Sequence, residues 1–180
     1  MIALDTPAQL LLRPLTPSAF APYGTVLEGF DSSDAPTAAR PINNGSCWRL
    51  DLAIPLALSH AGGQAGLAIY QAQARHFPIM VHEMERHALG SQSFIPLEGQ
   101  RFVVVVAPAN TLPGPDDVQA FVTNGRQGVV LHPGTWHHAL LAVQAGAFVV
   151  LERHVPLGAP VDCDVTWLAA PLQVQDPNAA

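Results

Sequence analysis

Turn residues cut this chain into pieces too short for long helices. Between Phe77 and Arg153, apolar stretches such as FVVVVA (Phe102 to Ala107) alternate with turn-bearing segments such as PANTLPGPDD, TNGRQG and QAG. Seventeen Pro and fourteen Gly in 180 residues supply the punctuation, which favours strands over helices. The pattern predicts strands at Thr25 to Glu28, Leu67 to Ala74, Phe77 to Glu83, Gln92 to Pro96 and Phe102 to Ala107. Further strands are predicted at Ala120 to Thr123, Val129 to Leu131, His137 to Val143 and Ala147 to Arg153. Many short strands at such spacing predict an all-β sandwich or barrel. Helix has little room. Thr16-Pro17 offers an N-cap and a first-turn Pro, so Ser18 to Ala21 reads as one helical turn. Val118 to Phe121 and Asp164 to Ala169 fit brief helices. Asn43-Asn44-Gly45 reads as a turn between apolar flanks. One domain over residues 1–180 is expected, with 1–10 and 171–180 as arms or frayed ends.

Charge narrows the partners. A formal charge of −6, with only eight Lys and Arg and no basic run, excludes the basic stripe that nucleic acid requires and an anionic-membrane patch. A small carboxylate substrate stays open, because one guanidinium suffices to hold it. Cys47 and Cys163 lie far apart with no CxxC spacing, so no zinc or redox motif is read. No export signal and no membrane-length apolar run is recognisable, which makes a soluble cytoplasmic protein the expectation.

The chemistry gathers in HEMERHALGSQSFIPLEG (His82 to Gly99), which holds two His, three Glu, an Arg and a Gln in a chain only 12% charged. So many ionisable groups beside the apolar run at Phe102 are costly to bury without a purpose. A second cluster, HPGTWHH, spans His132 to His138. Residues two apart in a strand share a face, so Glu85 and His87 point together and His82 points away unless a bulge intervenes. Gln92 opens the next strand and can face back toward them. Of His137 and His138, only one can face inward. General acid–base work favours a His beside a carboxylate, which makes His87 and Glu85 the candidate proton-transfer pair. His137, or a metal held there, is placed to polarise a substrate oxygen. Arg75 and Asn43 are candidates for gripping a carboxylate. His76 and His132 read as surface or turn histidines. Trp136 reads as pocket wall or core.

This spacing resembles the cupin pattern. Glu85-Arg86-His87, four residues, Gln92, six residues and Gly99 follow the first cupin motif with two substitutions, and Gly134-Thr135-Trp136-His137 follows the Gly-x-x-His of the second. The resemblance implies a cupin-like double-stranded β-helix (jelly-roll) barrel and a ligand set of Glu85, His87, Gln92 and His137. Glu for His and Gln for Glu leave one formal negative charge, so a divalent ion is still tolerated. Mixed N and O ligation suits Ni, Zn, Fe or Mn. The other reading is a barrel that has lost its metal and uses the same groups for acid–base chemistry.

Longer blocks are more specific. INNG followed by Arg49, the block HEMERHALGSQSFIPLEGQRFVVVVAP, and AFVTNGRQGVVLHPGTWHHALLAV resemble the bacterial ureidoglycolate lyase (formerly ureidoglycolate hydrolase) family from about Leu12 to Asp164. Arg49-Leu50-Asp51 departs from it, lacking the aromatic residue and the His expected there. The resemblance implies cleavage of (S)-ureidoglycolate to glyoxylate and urea in allantoin and purine catabolism. It also implies a homodimer and a nickel ion. Asn43, Arg75, Gln92 and Trp136 are the candidate substrate contacts. Two other readings compete: a different metal-dependent cupin enzyme, such as a dioxygenase or sugar isomerase, and a barrel that binds a small acid without turning it over.

Overall fold

The computed structural model describes residues 7–54, 56–159 and 161–179. Its elements in chain order are β1 (Ala8–Leu10), β2 (Leu12–Pro14), α1 (Pro17–Phe20), β3 (Gly24–Glu28), β4 (Arg40–Ile42), β5 (Cys47–Arg49), β6 (Gln64–Ala72) and β7 (Ile79–Arg86). There follow β8 (Gln92–Pro96), β9 (Phe102–Ala107), β10 (Gln119–Val122), β11 (Gln127–Leu131), β12 (Trp136–His137), β13 (Leu141–Ala142), β14 (Gly146–His154) and β15 (Asp164–Val174). One sheet runs β1-β15-β7-β12-β9-β10-β2, with β13 also on β9, and a five-stranded sheet runs β3-β11-β8-β14-β6. Together they make the expected all-β, cupin-like barrel. Among the described residues no helix is long and apolar enough to cross a membrane.

The strand β9 explains how the sheets are packed. All six of its residues are buried, so it has no solvent face. Val104 and Val106 point between the two sheets, into a core with Phe94, Phe148, Val150, Val129 and Leu131. Val103, Val105 and Ala107 point the other way, into a second core with Val81, Met84, Trp136, Leu168, Leu172 and Val174. A continuous Val run is what a strand buried on both faces requires.

The single α-helical turn forms as expected, with Thr16 Oγ1 accepting from the Ala19 N–H at 3.3 Å. Two expected helices are strands instead. The stretch at Val118 to Phe121 becomes β10, antiparallel to β9 and parallel to β2, because pairing partners on both sides outweigh the weak local preference of four residues. Asp164 to Ala169 opens β15, which pairs with β7 from Asp164↔Arg86 through Val174↔Ile79 around a bulge between Trp167 and Leu172. Val165, Thr166 and Trp167 are β-favouring residues, and β7 offers them a free edge. The strand expected at His137 to Val143 breaks into β12 and β13.

The chain ends need correcting as well. Residues 1–6 and 180 lie outside the described residues, but Ala8–Leu10 is no loose arm. It lies parallel to Leu172–Val174 in β15, and Leu10, Leu172 and Val174 are all buried. Only the stretch after Val174 leaves the sheet, and Arg101 holds it through Pro177 O at 3.1 Å and Asn178 Oδ1 at 3.2 Å.

Candidate active site

The antiparallel pairing of β12 with β7 sets Glu85 directly opposite His137. Both side chains therefore leave the sheet on one side, toward the core that lies between the sheets. His87 follows at the end of β7. The turn His132–Thr135 delivers β12 and is fastened at three points. The His132 N–H and the Thr135 hydroxyl both donate to Tyr23 O at 2.9 Å, and the Gly134 N–H donates to His87 O at 2.7 Å. Gly134 sits at φ +81°, a conformation that a side chain would strain.

Glu85, His87 and His137 each bring a ligand atom within 4.8 Å of the other two. His137 is 2% exposed, and its Nδ1 lies 3.0 Å from Thr135 O. A carbonyl only accepts, so Nδ1 carries the proton and Nε2 carries a lone pair. His87 is arranged in the same way, with Nδ1 at 2.6 Å from Asp162 O. Burial pushes the His137 imidazole down to about 4, helped by the neighbouring His87 and His138 and opposed by the Thr135 carbonyl. Near neutral pH it is uncharged, so its 3.5 Å approach to Glu85 Oε1 is not an ion pair. Two lone-pair atoms face each other there, and His137 Nε2 is buried without a partner. A divalent cation would relieve that contact, and two imidazole nitrogens with one carboxylate suit such an ion.

Beside the triad, at His87, opens a cleft of about 270 Å³ lined by His87, Ser91, Glu152, Arg153, His154 and Asp162 among others, while Glu85 and His137 lie outside its lining. Asp162 is the brace behind His87. Besides the carbonyl bond, its carboxylate accepts from the Ala88 N–H at 3.0 Å and the Leu89 N–H at 2.7 Å. Replacing Asp162 with Ala removes its two carboxylate bonds to the backbone after His87, though not the carbonyl bond to the imidazole, and should lower kcat by about tenfold with little loss of melting temperature. Unchanged turnover would show that His87 holds its position without them.

The other side of Glu85 meets Cys163, whose Sγ is 3.9 Å from Oε2. Burial and the charges of Glu85, Asp164 and Asp162 push that thiol up, so it stays protonated. Tyr70 on β6 is also pushed up, first by burial and then by the charges of Glu152 and Glu85, and remains a hydroxyl donor.

The remaining candidates divide. Gln92 is 6% exposed and donates from Nε2 to Glu152 Oε2 at 2.8 Å. Trp136, expected as a substrate contact, faces the second core, because its neighbour His137 takes the inward face. Its ring lies under the Arg86 guanidinium at 4.6 Å, and Arg86 is further tied to Asp164 at 2.9 Å. Asn43 and Arg75 are exposed and do not line the cleft. Asn43 occupies the turn between β4 and β5 at φ 51°, and Arg75 follows β6, its N–H on Ala142 O at 2.8 Å. His82 is exposed, as its parity predicts.

Sequence reasoning missed Glu152, Arg153 and Asp162. A signal existed for Glu152. In AFVVLE (Ala147 to Glu152), Phe148 and Val150 mark the inward face, and Glu152 is the next residue on it. Asp162 lies in irregular chain, where no periodicity points to it.

Comparison with known proteins agrees with the residue blocks. A family model described as ureidoglycolate lyase matches residues 7–175. A ureidoglycolate lyase of Pseudomonas syringae pv. syringae (strain B728a) is 40% identical over 172 residues, covering 94% of this chain and 96% of the relative. One of Stutzerimonas stutzeri (strain A1501) is 42% identical over 156 residues, covering 86% and 87%. One of Pseudomonas aeruginosa (strain LESB58) is 41% identical over 156 residues, covering 86% and 88%.

Proposed function

The chain belongs to the ureidoglycolate lyase family, and from that membership we propose that it splits ureidoglycolate into glyoxylate and urea with Glu85, His87 and His137, reached through the cleft that His87 lines. The observation that carries the site assignment is the buried, unpartnered Nε2 of His137, facing Glu85 and braced from behind by Thr135.

The substrate carbon bears a hydroxyl, a hydrogen, a carboxylate and a ureido nitrogen. Cleavage moves the hydroxyl proton to that nitrogen. The O–H electron pair becomes the new C=O bond as the C–N pair leaves with urea, and no water is consumed. Glu85 is the group for this transfer, with His87 beside it. Oε1 faces His137, while among the described residues Oε2 has only the Cys163 thiol at 3.9 Å. Oε2 takes the hydroxyl proton and returns it to the departing nitrogen. His87 Nε2 carries a lone pair by its tautomer and is the atom that would hold a cation beside that hydroxyl.

A divalent cation fits Glu85, His87 and His137, and nickel is the ion the family suggests. When bound it would act as a Lewis acid on the substrate hydroxyl oxygen. Charge supports this reading: Glu152 and Asp162 line the cleft with Arg153 as the one Lys or Arg among its described lining residues, and Glu85 lies beside His137, an unfavourable setting for an anionic substrate without a further positive charge. Arg153 takes the role of carboxylate partner expected of Arg75. Its Nε and Nη2 are held by His60 O at 2.7 Å and Ala61 O at 3.0 Å, which leaves Nη1 for the substrate.

A cytoplasmic homodimer completes the proposal. The free thiols of Cys47 and Cys163 suit a reducing compartment. The edge strand β6 exposes Leu67 at 71% and Ile69 at 61%, a surface suited to self-association.

The test is product analysis on purified protein. Glyoxylate and urea should form in equal amounts with no ammonia, and chelation should abolish turnover until nickel is restored. Release of ammonia and carbon dioxide would mean amide hydrolysis instead.

A further inference from the structure

Gln92 is held so that one of its atoms has nothing to bind. Glu152 Oε2 lies 2.8 Å from Gln92 Nε2. A carboxylate only accepts, so the amide nitrogen must face Glu152 and the amide oxygen must point away from it. That oxygen, Oε1, is buried and has no hydrogen-bond partner among the described residues. Ser91 Oγ, one residue before it, is likewise buried and unpartnered, and Ser91 lines the cleft. Leaving a buried polar atom unpaired costs about 1–3 kcal/mol. Gln92 and Glu152 stand opposite each other in the β8–β14 pairing. Their side chains share the face that carries Phe94 and Val150 inward. Glu152 also lines the cleft beside His87, with its Oε1 at 3.3 Å from His154 Nε2 and the Tyr70 hydroxyl close to its carboxylate.

Building on the lyase reading above, we propose that Gln92 and Glu152 form the subsite that reads the terminal amide of the ureido group, with Glu152 both orienting Gln92 and accepting from the substrate. A ureido end, –NH–CO–NH2, is rich in N–H donors. Gln92 Oε1 accepts one N–H of the terminal amide and the Glu152 carboxylate accepts another. The Ser91 hydroxyl donates to the ureido carbonyl. Gln92 Oε1 and Ser91 Oγ then both have partners when the substrate is seated. An analogue with an acetamido group in place of the ureido group has almost the same shape, but sets a methyl against two acceptors. Rejection of that kind is strong, because the pocket's own polar groups lose their partners. Specificity is thus set by Glu152 and Gln92, on β14 and β8, while bond cleavage is left to Glu85 on β7, His87 just after it and His137 on β12.

The test compares kcat/KM for ureidoglycolate and for 2-acetamido-2-hydroxyacetate in the wild type, Glu152→Gln and Gln92→Leu. Nickel affinity is measured by calorimetry on the same proteins. The wild type should prefer the ureido compound by at least about a hundredfold, and each variant should lose about tenfold or more of that preference while binding nickel as before. A preference unchanged in both variants overturns the assignment. So does a loss of nickel affinity as large as that of Glu85→Gln, which would make Gln92 a metal ligand. A wild type that releases no urea from ureidoglycolate sinks the lyase reading itself. An active wild type whose variants keep the preference sinks only the subsite.

Discussion

Glu85→Gln lowers kcat by about a hundred- to ten-thousandfold, the range lost when a positioned proton-transfer group is removed. The substitution keeps the shape and removes the only formal charge among Glu85, His87 and His137. Glu85 is 32% exposed and packs in neither apolar core, so the fold tolerates the change and the circular dichroism spectrum and melting temperature hold. His87→Ala gives a loss of the same order for a different reason, since it removes the lone pair that Asp162 O aims into the cleft. Divalent-ion binding falls in both variants. Near-normal glyoxylate release from both would show that the chemistry lies elsewhere in the cleft.

Trp136→Ala has the largest expected effect on stability. The ring is 2% exposed and faces the second core under Arg86, and truncating a buried Trp to Ala costs about 3–5 kcal/mol. Trp136→Phe costs far less, because the indole Nε1 is buried without a hydrogen bond and its loss strands no acceptor. Guanidinium unfolding midpoints separate the two variants. The KM of Trp136→Phe should match the wild type, as the ring lies on the side of the sheet away from Glu85. A tenfold rise in KM without loss of stability would bring the ring back to the substrate.

What the sequence revealed and what it concealed follow from the range of the forces involved. The parity of β7 placed Glu85 with His87 and sent His82 outward, because alternation is a local property of a strand. The glycine in the His132–Thr135 turn marked the second cluster, since only that backbone conformation needs it. Arg75 and Asn43 were plausible by chemistry, but their distance from the cleft depends on how β6 and the β4–β5 hairpin are placed in three dimensions. Glu152 was hidden for the opposite reason. It meets Gln92 across a long-range strand pairing that no local pattern encodes, although its inward parity was visible. The supposed helices failed on the same ground, because β10 and β15 are strands by virtue of the neighbours that receive them.

The strand β9 carries a hidden dependence. A strand that is apolar on one face only reports its own alignment, since a slip of one residue would turn apolar groups into water. FVVVVA lacks that safeguard: a one-residue slip would exchange valines between the two cores and expose nothing. Its alignment must be set at its start, where the Phe102 N–H donates to Thr123 Oγ1 at 2.9 Å, the Thr123 N–H donates to Phe102 O at 3.0 Å and the Arg101 N–H donates to Gln144 Oε1 at 2.7 Å. His137 takes its place by pairing with Val106, roughly 13 Å further along the strand. Thr123 and Gln144 touch no reacting group, yet they act as the gauge marks from which the position of the catalytic histidine is measured.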